Sequence, residues 1–356
     1  MKALTVLGAR PQFIKAAPVS RVLRRSHEEL ILHTGQHYDD AMSDLFFRQL
    51  DIPAPDLNLG VGSGPHGAQT AAMLEGVEKV AIDRRPDVVL VYGDTNSTLA
   101  GALAAAKLHI PVAHVEAGLR SFDRRMPEEV NRVVADHLSA LLLCPTQTAV
   151  ANLAAEGMRE GVRMVGDVMY DAFLQNLDRA RTQCTVLDDL GLQRGGYDLL
   201  TVHRAENVDD PRRLGAILEG VGASRRRVVF PVHPRTRAAL ARDGAQVAPG
   251  VMLIDPVGYL EMLVLEDGAA KVVTDSGGVQ KEAYFAGRPC ITLRDRTEWT
   301  ETVEEGWNVL AGTDPAKVAS AMRDFNPEGE RPKLFGDGHA AERVVDALSA
   351  VEMVSP

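Results

Sequence analysis

Short apolar runs alternate along the chain with stretches in which apolar residues recur every three or four positions. Short runs rich in Val, Ile and Leu are typical of buried strands, and the longer periodic stretches are typical of helices. In the first half, strands are predicted at residues 3–7, 30–33, 88–92, 112–115, 141–145 and 164–166. Helices are predicted after the first strand and at residues 41–50, 68–80, 97–108 and 128–138. This alternation predicts an α/β fold with a parallel, doubly wound sheet.

The same alternation begins again after Gly166-Asp167, where a helix is predicted at residues 168–177. Further strands are predicted at residues 199–202, 227–231, 251–254, 272–274 and 290–293. The chain of 356 residues also exceeds the length at which single cores stop growing, roughly 250–300 residues. We therefore expect two Rossmann-like domains with a cleft between them. Ligands of such sheets bind beyond the carboxyl ends of the strands.

The composition argues against several classes of binding partner. Apolar residues make up 45% of the chain and charged residues 25%, which are ordinary globular values. The net charge of −10 argues against a surface for nucleic acid or an anionic membrane. No apolar run approaches the roughly 20 residues of a membrane helix, and the first residues lack a signal-peptide pattern. The cysteines at 144, 184 and 290 have no metal-ligand spacing and suit a reducing compartment. We expect a cytoplasmic protein without a metal site.

Charged residues follow the predicted strands of the first half. Arg10 and Lys15 follow the first strand, where they either direct two cations at one anion or begin a solvated helix. Asp94 follows the strand at 88–92 and is a candidate either for chemistry or for the cap of the next helix.

Glu116 is the least ordinary of these residues. It ends an apolar strand with a carboxylate, which is costly near a sheet interior unless the group is paired or functional. An ion pair with Arg120, Arg124 or Arg125 is the structural alternative. Glu128 lies in the first turn of the next helix, where the helix dipole favours negative charge for structural reasons alone.

The second half places different chemistry at its strand ends. His203 and His233 follow successive strands beside arginines, a combination that favours an anionic substrate. In the stretch 271–282, a β-branched strand ends at Asp-Ser-Gly-Gly and a helix begins. Backbone N–H groups, a hydroxyl and the positive helix end suit a phosphate there, although a plain helix cap has the same pattern. The glycine motifs of dinucleotide and ATP sites are missing, which argues against those ligands.

Taken together and in order, these motifs resemble the non-hydrolysing UDP-N-acetylglucosamine 2-epimerases. The motifs are Gly8-Ala-Arg-Pro, Thr34-Gly-Gln-His-Tyr, Gly93-Asp-Thr-Asn-Ser-Thr, His114-Val-Glu-Ala-Gly-Leu-Arg, Pro127-Glu-Glu-Val-Asn-Arg, His203-Arg-Ala-Glu-Asn, Thr274-Asp-Ser-Gly-Gly-Val-Gln-Lys-Glu and Gly336-Asp-Gly. The resemblance implies a glycosyltransferase-B-like fold, with residues 1–166 plus 340–356 in one domain and 167–339 in the other. It also implies an isomerase without a cofactor, a homodimer, and a product that enters polysaccharide synthesis.

The family mechanism implied by this resemblance is elimination and re-addition. UDP leaves C1 as a base removes the C2 proton, and a proton returns to the other face of the resulting glycal as UDP adds back. The resemblance makes Asp94, Glu116 and Glu128 the carboxylates at the sugar, with the C2 base left open among them. His203 assists at the diphosphate or in proton transfer.

The resemblance also implies a set of substrate-binding residues. Arg10, Ser276, Gly277 and Gly278 would hold phosphate, and Glu282 would hold the ribose hydroxyls. The remaining members of the set are Lys15, His233 and Met262, the last where relatives place an apolar residue against uracil.

Departures from the family pattern bear on regulation and substrate. Gln36, with His37 beside it, matches part of the second UDP-sugar site of regulated members, but Asp39 and Ala68 replace a Gln and an Arg. Trp299 stands where many members have a ligand-contacting arginine. These departures resemble the branch that includes UDP-2,3-diacetamido-2,3-dideoxyglucuronate 2-epimerases, which is the alternative substrate. A glycosyltransferase on the same fold is less favoured.

Overall fold

The computed structural model describes residues 1–36, 54–244 and 247–350. The chain divides into two compact units, Met1–Leu174 with Lys333–Pro356 as unit 1 and Gln175–Pro332 as unit 2. The predicted helix at 41–50 lies outside the described residues. No helix within the described ranges combines the length and the apolar character that crossing a membrane requires.

Two parallel sheets form the framework of the units. The strands are β1 Lys2–Leu7, β2 Glu28–His33, β3 Leu57–Asn58, β4 Val88–Tyr92, β5 Val112–Val115, β6 Leu141–Cys144, β7 Val162–Met164, β8 Asp198–Thr201, β9 Val228–Pro231, β10 Val251–Ile254, β11 Lys271–Thr274, β12 Cys290–Thr292 and β13 Asn308–Leu310.

Helices connect these strands. The described helices are α1 Arg10–Leu23, α2 His66–Arg84, α3 Asn96–Lys107, α4 Pro127–Leu138, α5 Gln147–Ala155, α6 Val168–Gln183, α7 Val186–Asp189, α8 Ala205–Val208, α9 Pro211–Ala223, α10 Pro234–Asp243, α11 Tyr259–Gly268, α12 Gly277–Phe285, α13 Thr300–Glu304, α14 Pro315–Asp324 and α15 Ala340–Ala350.

The sheet of unit 1 has seven strands in the order β3-β2-β1-β4-β5-β6-β7. All residues of β4 are buried, and since successive side chains point to opposite faces, both faces of the sheet are covered. The chain leaves β1 towards β2 on one side and returns to β4 on the other. Strand order therefore reverses between β1 and β4, which is where open α/β sheets bind ligands.

The sheet of unit 2 has six strands in the order β10-β9-β8-β11-β12-β13, with the corresponding reversal between β8 and β11. At the carboxyl ends of these two strands Thr201 pairs with Thr274, and their hydroxyl oxygens are 2.6 Å apart. Apolar side chains of β8, β9, α9 and α14 form the core beneath this edge. The two-fold repetition of a parallel sheet with connecting helices confirms the predicted α/β fold class.

Some predicted boundaries are wrong. The strand predicted at 164–166 is Val162–Met164, after which the chain turns at Gly166 with a φ of +93°. The helix predicted at 168–177 continues to Gln183, and the division between units falls within it, between Leu174 and Gln175. Short elements that the pattern does not reveal include β3, β13, α5, α13 and α14.

The last described helix, α15, belongs to unit 1. The backbone N–H of Ala341 donates to the Asp171 carboxylate at 2.7 Å, and Ser349 Oγ lies 2.9 Å from His27 Nε2. Burial raises the pKa of Asp171 to about 6, although the N–H groups at the start of α15 act against this rise. These contacts join α15 to the α1 and α6 region of the same unit.

Candidate active site

The loops after β1 and β4 are fastened to each other by one side chain, Gln12. Its Oε1 accepts hydrogen bonds from the N–H groups of Gly8 and Ala9 at 2.8 and 3.0 Å. Its Nε2 donates to the carbonyl of Tyr92, the last residue of β4, at 2.9 Å. Gln12 is almost fully buried, so the turn that precedes Arg10 has a defined position at the sheet edge.

Glu116 lies at the same edge, directly after β5. Its side chain forms an ion pair with Lys15 of α1, and both side chains are nearly buried. A methyl group added at Gly93 would lie 2.9 Å from Lys15 Nζ and 3.2 Å from Glu116 Oε2, so this pair packs directly against the turn after β4. Glu116 also has a φ of +71°, which is unusual for a residue with a side chain and is typical of functional sites.

Asp94 extends from that turn and is held by α4. Arg132 forms an ion pair with the Asp94 carboxylate and places Nη1 3.0 Å from Glu129 Oε2. Asn131 Nδ2 donates to the Asp94 carbonyl at 3.0 Å. The helix cap is Thr95, whose hydroxyl accepts from the N–H of Thr98, so the capping alternative for Asp94 is wrong. The Asp94 side chain keeps 28% of its surface exposed, enough to contact a ligand.

The two glutamates that open α4 have different environments. Glu129 is buried and accepts hydrogen bonds from the N–H groups of Ser121 and Phe122, each at 2.9 Å. Glu128 is exposed. Glu129 is therefore a structural carboxylate that holds the loop before α4, and Glu128 is the one exposed to solvent.

In unit 2, Asp275 braces the sheet edge from below. It is fully buried and accepts hydrogen bonds from the N–H of Arg204 at 3.0 Å and from Asn207 Nδ2 at 3.1 Å. His203 donates its N–H at 3.2 Å and places Nδ1 3.2 Å from the same carboxylate. Burial favours a higher pKa for Asp275, but the hydrogen bonds and charge of its partners outweigh it and lower the pKa. The ionised carboxylate thus joins the loops after β8 and β11.

Ser276 begins α12 and supplies its N-cap. Its hydroxyl accepts from the N–H of Val279 at 3.4 Å. The first helical residues are Gly277 and Gly278, whose N–H groups have no partner within the helix by geometry. A methyl at Gly277 would overlap Glu298, whereas one at Gly278 would come no closer than 3.8 Å to Ser276 Oγ. The open helix end and its positive dipole suit a phosphate.

Two histidines flank this edge. The rings of His203 and His233 are 5.8 Å apart. His233 caps α10, since its Nδ1 accepts from the N–H of Arg235 at 3.2 Å. Burial lowers the pKa of His233, and the neighbouring His203 and Arg235 lower it further. A neutral ring is the form that a cap needs, so His233 has a structural task whatever else it contacts.

Behind α12, Trp299 and Lys281 pack together. Lys281 Nζ lies 4.2 Å from the centre of the Trp299 ring, and both residues are buried. Glu282 is also buried, and Met262 lies half-buried on α11. Burial, together with the charge of Glu282, raises the pKa of Glu266 well above its usual value.

Comparison with known proteins identifies the family to which the chain belongs. The family model described as UDP-N-acetylglucosamine 2-epimerase matches residues 21–349. A protein of Methanococcus maripaludis, named a UDP-N-acetylglucosamine 2-epimerase homolog, is 52% identical over 98% of this chain and 99% of its own length. The chain belongs to the UDP-N-acetylglucosamine 2-epimerase family.

Two further members of the epimerase family are similar over their whole length. A UDP-2,3-diacetamido-2,3-dideoxy-D-glucuronate 2-epimerase of Pseudomonas aeruginosa is 48% identical over 98% of this chain and 99% of that protein. The crystal structure of Methanocaldococcus jannaschii UDP-GlcNAc 2-epimerase in complex with UDP-GlcNAc and UDP has a TM-score of 0.92, with 46% identity over 98% of this chain and 99% of that one. The likeness confirms the glycosyltransferase-B-like fold class.

Within this epimerase fold, the structure brings some of the predicted residues together. Lys15 contacts Glu116, and both adjoin the turn that carries Asp94. Arg120, an alternative partner for Glu116, instead pairs with Asp136 at 2.7 Å and with Glu156 at 2.6 Å. No group of His, Cys, Asp and Glu that could hold a metal ion occurs in the described part of the chain.

The residues named for a second UDP-sugar site are described only in part. Gln36 Oε1 accepts from the N–H of Ser97 at 3.1 Å and from its hydroxyl at 2.8 Å. This ties Gln36 to the start of α3. His37 lies outside the described residues.

Sequence reasoning alone misses several members of this epimerase site. Arg132 and Asn131 position Asp94, and Gln12 positions the loop of Arg10. A signal for Arg132 exists, because Glu129 three residues earlier lies on the same face of the helix. For Gln12 the pattern gives no clear signal, because the buried positions of α1 also include the polar residues Lys15 and Ser20.

Proposed function

We propose that this chain is a UDP-2-acetamido-sugar 2-epimerase that interconverts UDP-N-acetylglucosamine and UDP-N-acetylmannosamine. The observation that carries the proposal is the ion pair of Glu116 with Lys15 against the Gly93–Asp94 turn. It assembles two carboxylates and a cation at the reversal point of a sheet, where this fold places its ligands. Family membership and the similar proteins support the same activity.

The chemistry requires carboxylates near C2, because the C2 hydrogen of the sugar is not acidic. One carboxylate removes that proton, the C2–H electron pair forms the C1=C2 bond, and the C1–O bond breaks with its electrons leaving on UDP. The reverse steps deliver a proton to the opposite face and restore the C1–O bond. Asp94, Glu116 and Glu128 are the proposed carboxylates, with the C2 base among them.

Departing UDP needs donors that stabilise its growing charge. The start of α12 offers the Ser276 hydroxyl and the backbone N–H groups of Gly277 and Gly278. His203 contacts Asp275, the residue that precedes Ser276. Further proposed contacts are Arg10 and Lys15 for the anionic groups, Glu282 for the ribose, Met262 for uracil, and His233.

A second candidate substrate is UDP-2,3-diacetamido-2,3-dideoxyglucuronate. The Pseudomonas aeruginosa relative, at 48% identity, is named for its action on that sugar nucleotide. Trp299, which stands where many family members have an arginine, favours this branch. For either substrate we propose a cytoplasmic homodimer whose product enters polysaccharide synthesis.

Turnover in heavy water tests the proposal. The protein is incubated in D₂O with UDP-N-acetylglucosamine and, separately, with the diacetamidoglucuronate analogue, and the C2 position is followed by proton NMR. We expect deuterium at C2 of both epimers with the preferred substrate. An epimeric product without C2 deuterium would exclude elimination and re-addition. Release of UDP that depends on an added sugar acceptor would indicate a glycosyltransferase instead.

A further inference from the structure

His114, the third residue of β5, has a polar partner on each ring nitrogen although its side chain is fully buried. Nδ1 lies 2.7 Å from Asp136 Oδ1 on α4. Nε2 lies 2.7 Å from the carbonyl oxygen of Gly93, in the turn that carries Asp94. The ring therefore links a helix to the turn of the candidate active site.

Both partners are acceptors. A carbonyl oxygen has no hydrogen to donate, so Nε2 must carry one. The other oxygen of Asp136 accepts from the N–H of Gly118 at 3.1 Å and from Arg120 Nη1 at 2.7 Å, as an ionised carboxylate does. Burial favours a higher pKa for Asp136, but its bonds to His114 and Arg120 outweigh burial and lower the pKa. Nδ1 therefore faces an anion.

A neutral ring fits this geometry only if Asp136 is the acid. With its one N–H on the Gly93 carbonyl, the ring would turn the Nδ1 lone pair towards Asp136 Oδ1, which would then have to carry the hydrogen. The two donors at Asp136 Oδ2, one of them the Arg120 cation, favour the carboxylate instead, so the hydrogen belongs on Nδ1. The surrounding charges accommodate a cation, because Arg120 and His114 lie opposite the carboxylates of Asp136 and Glu156. Such a cluster is balanced, which lowers the cost of burying each charge.

We propose that His114 is a fixed imidazolium that positions the Gly93 carbonyl, and through it the Asp94 and Glu116 carboxylates. The N–H of Gly93 is held as well, since it donates to the Val115 carbonyl at 3.0 Å. Gly93 has a φ of +62° and no side chain. The Lys15–Glu116 pair therefore packs directly against the backbone of this turn. His114 is a positioning residue. It touches no reacting atom, and its kinetic consequence rests on the proposed function.

Nitrogen NMR of the intact protein labelled with ¹⁵N-histidine tests the charge state directly. His114→Asn identifies the signal by its disappearance. We expect both ring nitrogens of His114 to show directly bonded hydrogens at pH 7.5, with or without UDP. One protonated and one bare nitrogen would overturn the imidazolium. This readout requires no enzymatic activity, so it stands even if the proposed function fails.

Kinetics tests the positioning. His114→Asn and His114→Gln are expected to lower kcat for C2 deuterium exchange about 10- to 100-fold, as small misplacements of catalytic groups do, while the affinity for UDP stays within about twofold. The matched control is His137→Asn, at the exposed end of α4, with unchanged kcat. An unchanged kcat in both folded His114 variants would overturn the positioning role. If one variant fails to fold, as shown by circular dichroism, the other carries the test. Wild-type protein without C2 exchange would disprove the proposed function but not the charge state.

Discussion

The edges of the two sheets differ in chemistry although the sheets themselves share one design. Each unit has parallel strands whose order reverses once, and each places polar residues at that reversal. At the edge of unit 1 the polar groups are carboxylates paired with cations, Glu116 with Lys15 and Asp94 with Arg132. At the edge of unit 2 they are a helix end with a serine, flanked by His203 and His233. The same fold therefore supports either proton chemistry or anion binding, and the residues of a few turns decide which.

The position of the charge explains the difference. In unit 1 the carboxylates of Glu116 and Asp94 each have a cationic partner at the sheet edge, which offsets the cost of desolvation. In unit 2 the carboxylate, Asp275, is fully buried and braces the loops from below. The first turn of α12 contains no acidic residue of its own, so what its residues offer an incoming anion are backbone N–H groups and the Ser276 hydroxyl.

The largest effect is expected for Glu116→Gln. The amide cannot act as an acid or a base at the sugar, and its ion pair with Lys15 is lost. We expect C2 deuterium exchange to fall about 10²- to 10⁴-fold, as for removal of a general base, while calorimetry shows UDP binding within about twofold of wild type. Glu75→Gln, on the exposed face of α2, is the control and keeps full exchange. Loss of UDP binding together with exchange would contradict the division of tasks between the two units.

The second-largest effect is expected for Asp275, whose carboxylate joins the loops after β8 and β11. Asp275→Asn replaces an acceptor of several hydrogen bonds by a group that presents an NH₂ to donors. We expect the free energy of unfolding to fall by about 1.5–3 kcal/mol in urea titrations at pH 7, with weaker UDP binding. Asp255→Asn, an exposed carboxylate paired with Arg237, is the control and leaves both values unchanged.

The same variant carries a prediction for pH. The folded pKa of Asp275 is depressed, so its contribution to stability is fully present above the unfolded pKa of about 3.9 and is lost as pH falls through the folded pKa. The difference in stability between wild type and Asp275→Asn should therefore be constant from pH 7 to about pH 5 and shrink below about pH 4. A difference that grows on acidification would show that Asp275 is not held as the anion.

A pair of glycine variants sharpens the description of the helix end. In Gly277→Ala the methyl group overlaps Glu298, so the free energy of unfolding should fall. In Gly278→Ala the methyl group has room, and the free energy should rise by about 0.4–1 kcal/mol because the unfolded chain loses freedom. Both variants should bind UDP more weakly, since an added methyl group would occupy the space that we propose for the phosphate. Unchanged UDP affinity in the stable Gly278→Ala protein would remove the phosphate from this helix end.

The sequence predicts site residues at strand ends well where the residue type is unusual for its position. Glu116 after an apolar strand and Ser-Gly-Gly before a helix are local signals, and the structure puts both at the reversal points of the sheets. For Arg132 the spacing from Glu129 indicates only that neighbour, because an arginine on a helix is ordinary and its partner Asp94 lies 38 positions away. His114 is missed for the same reason. The sequence around a single histidine within a strand does not indicate which two groups contact its ring.

Boundaries fail where the apolar pattern is weak. The residues of β7, Val162–Met164, are exposed or half-exposed at the edge of the sheet, so their sequence lacks the continuous apolar run of β4. Strands as short as Asn308–Leu310 show no periodicity at all. The helices and strands next to the reversal points are buried and regular, which is why the candidate site is easier to predict than the periphery.

The smallest expected effect tests whether unit 2 relies on side-chain cations. Lys281→Met keeps the buried stem but removes the charge that lies 4.2 Å from the centre of the Trp299 ring. We expect the free energy of unfolding to fall by about 0.5–2 kcal/mol, the range of buried cation–π contacts, and the UDP affinity to stay within about twofold. Lys317→Met, exposed on α14, is the control for loss of charge. If UDP affinity falls tenfold or more, Lys281 supplies the cation that many family members have as arginine at the position of Trp299. Both sheet edges would then use charged side chains at the ligand, and unit 2 would not rely on backbone N–H groups alone.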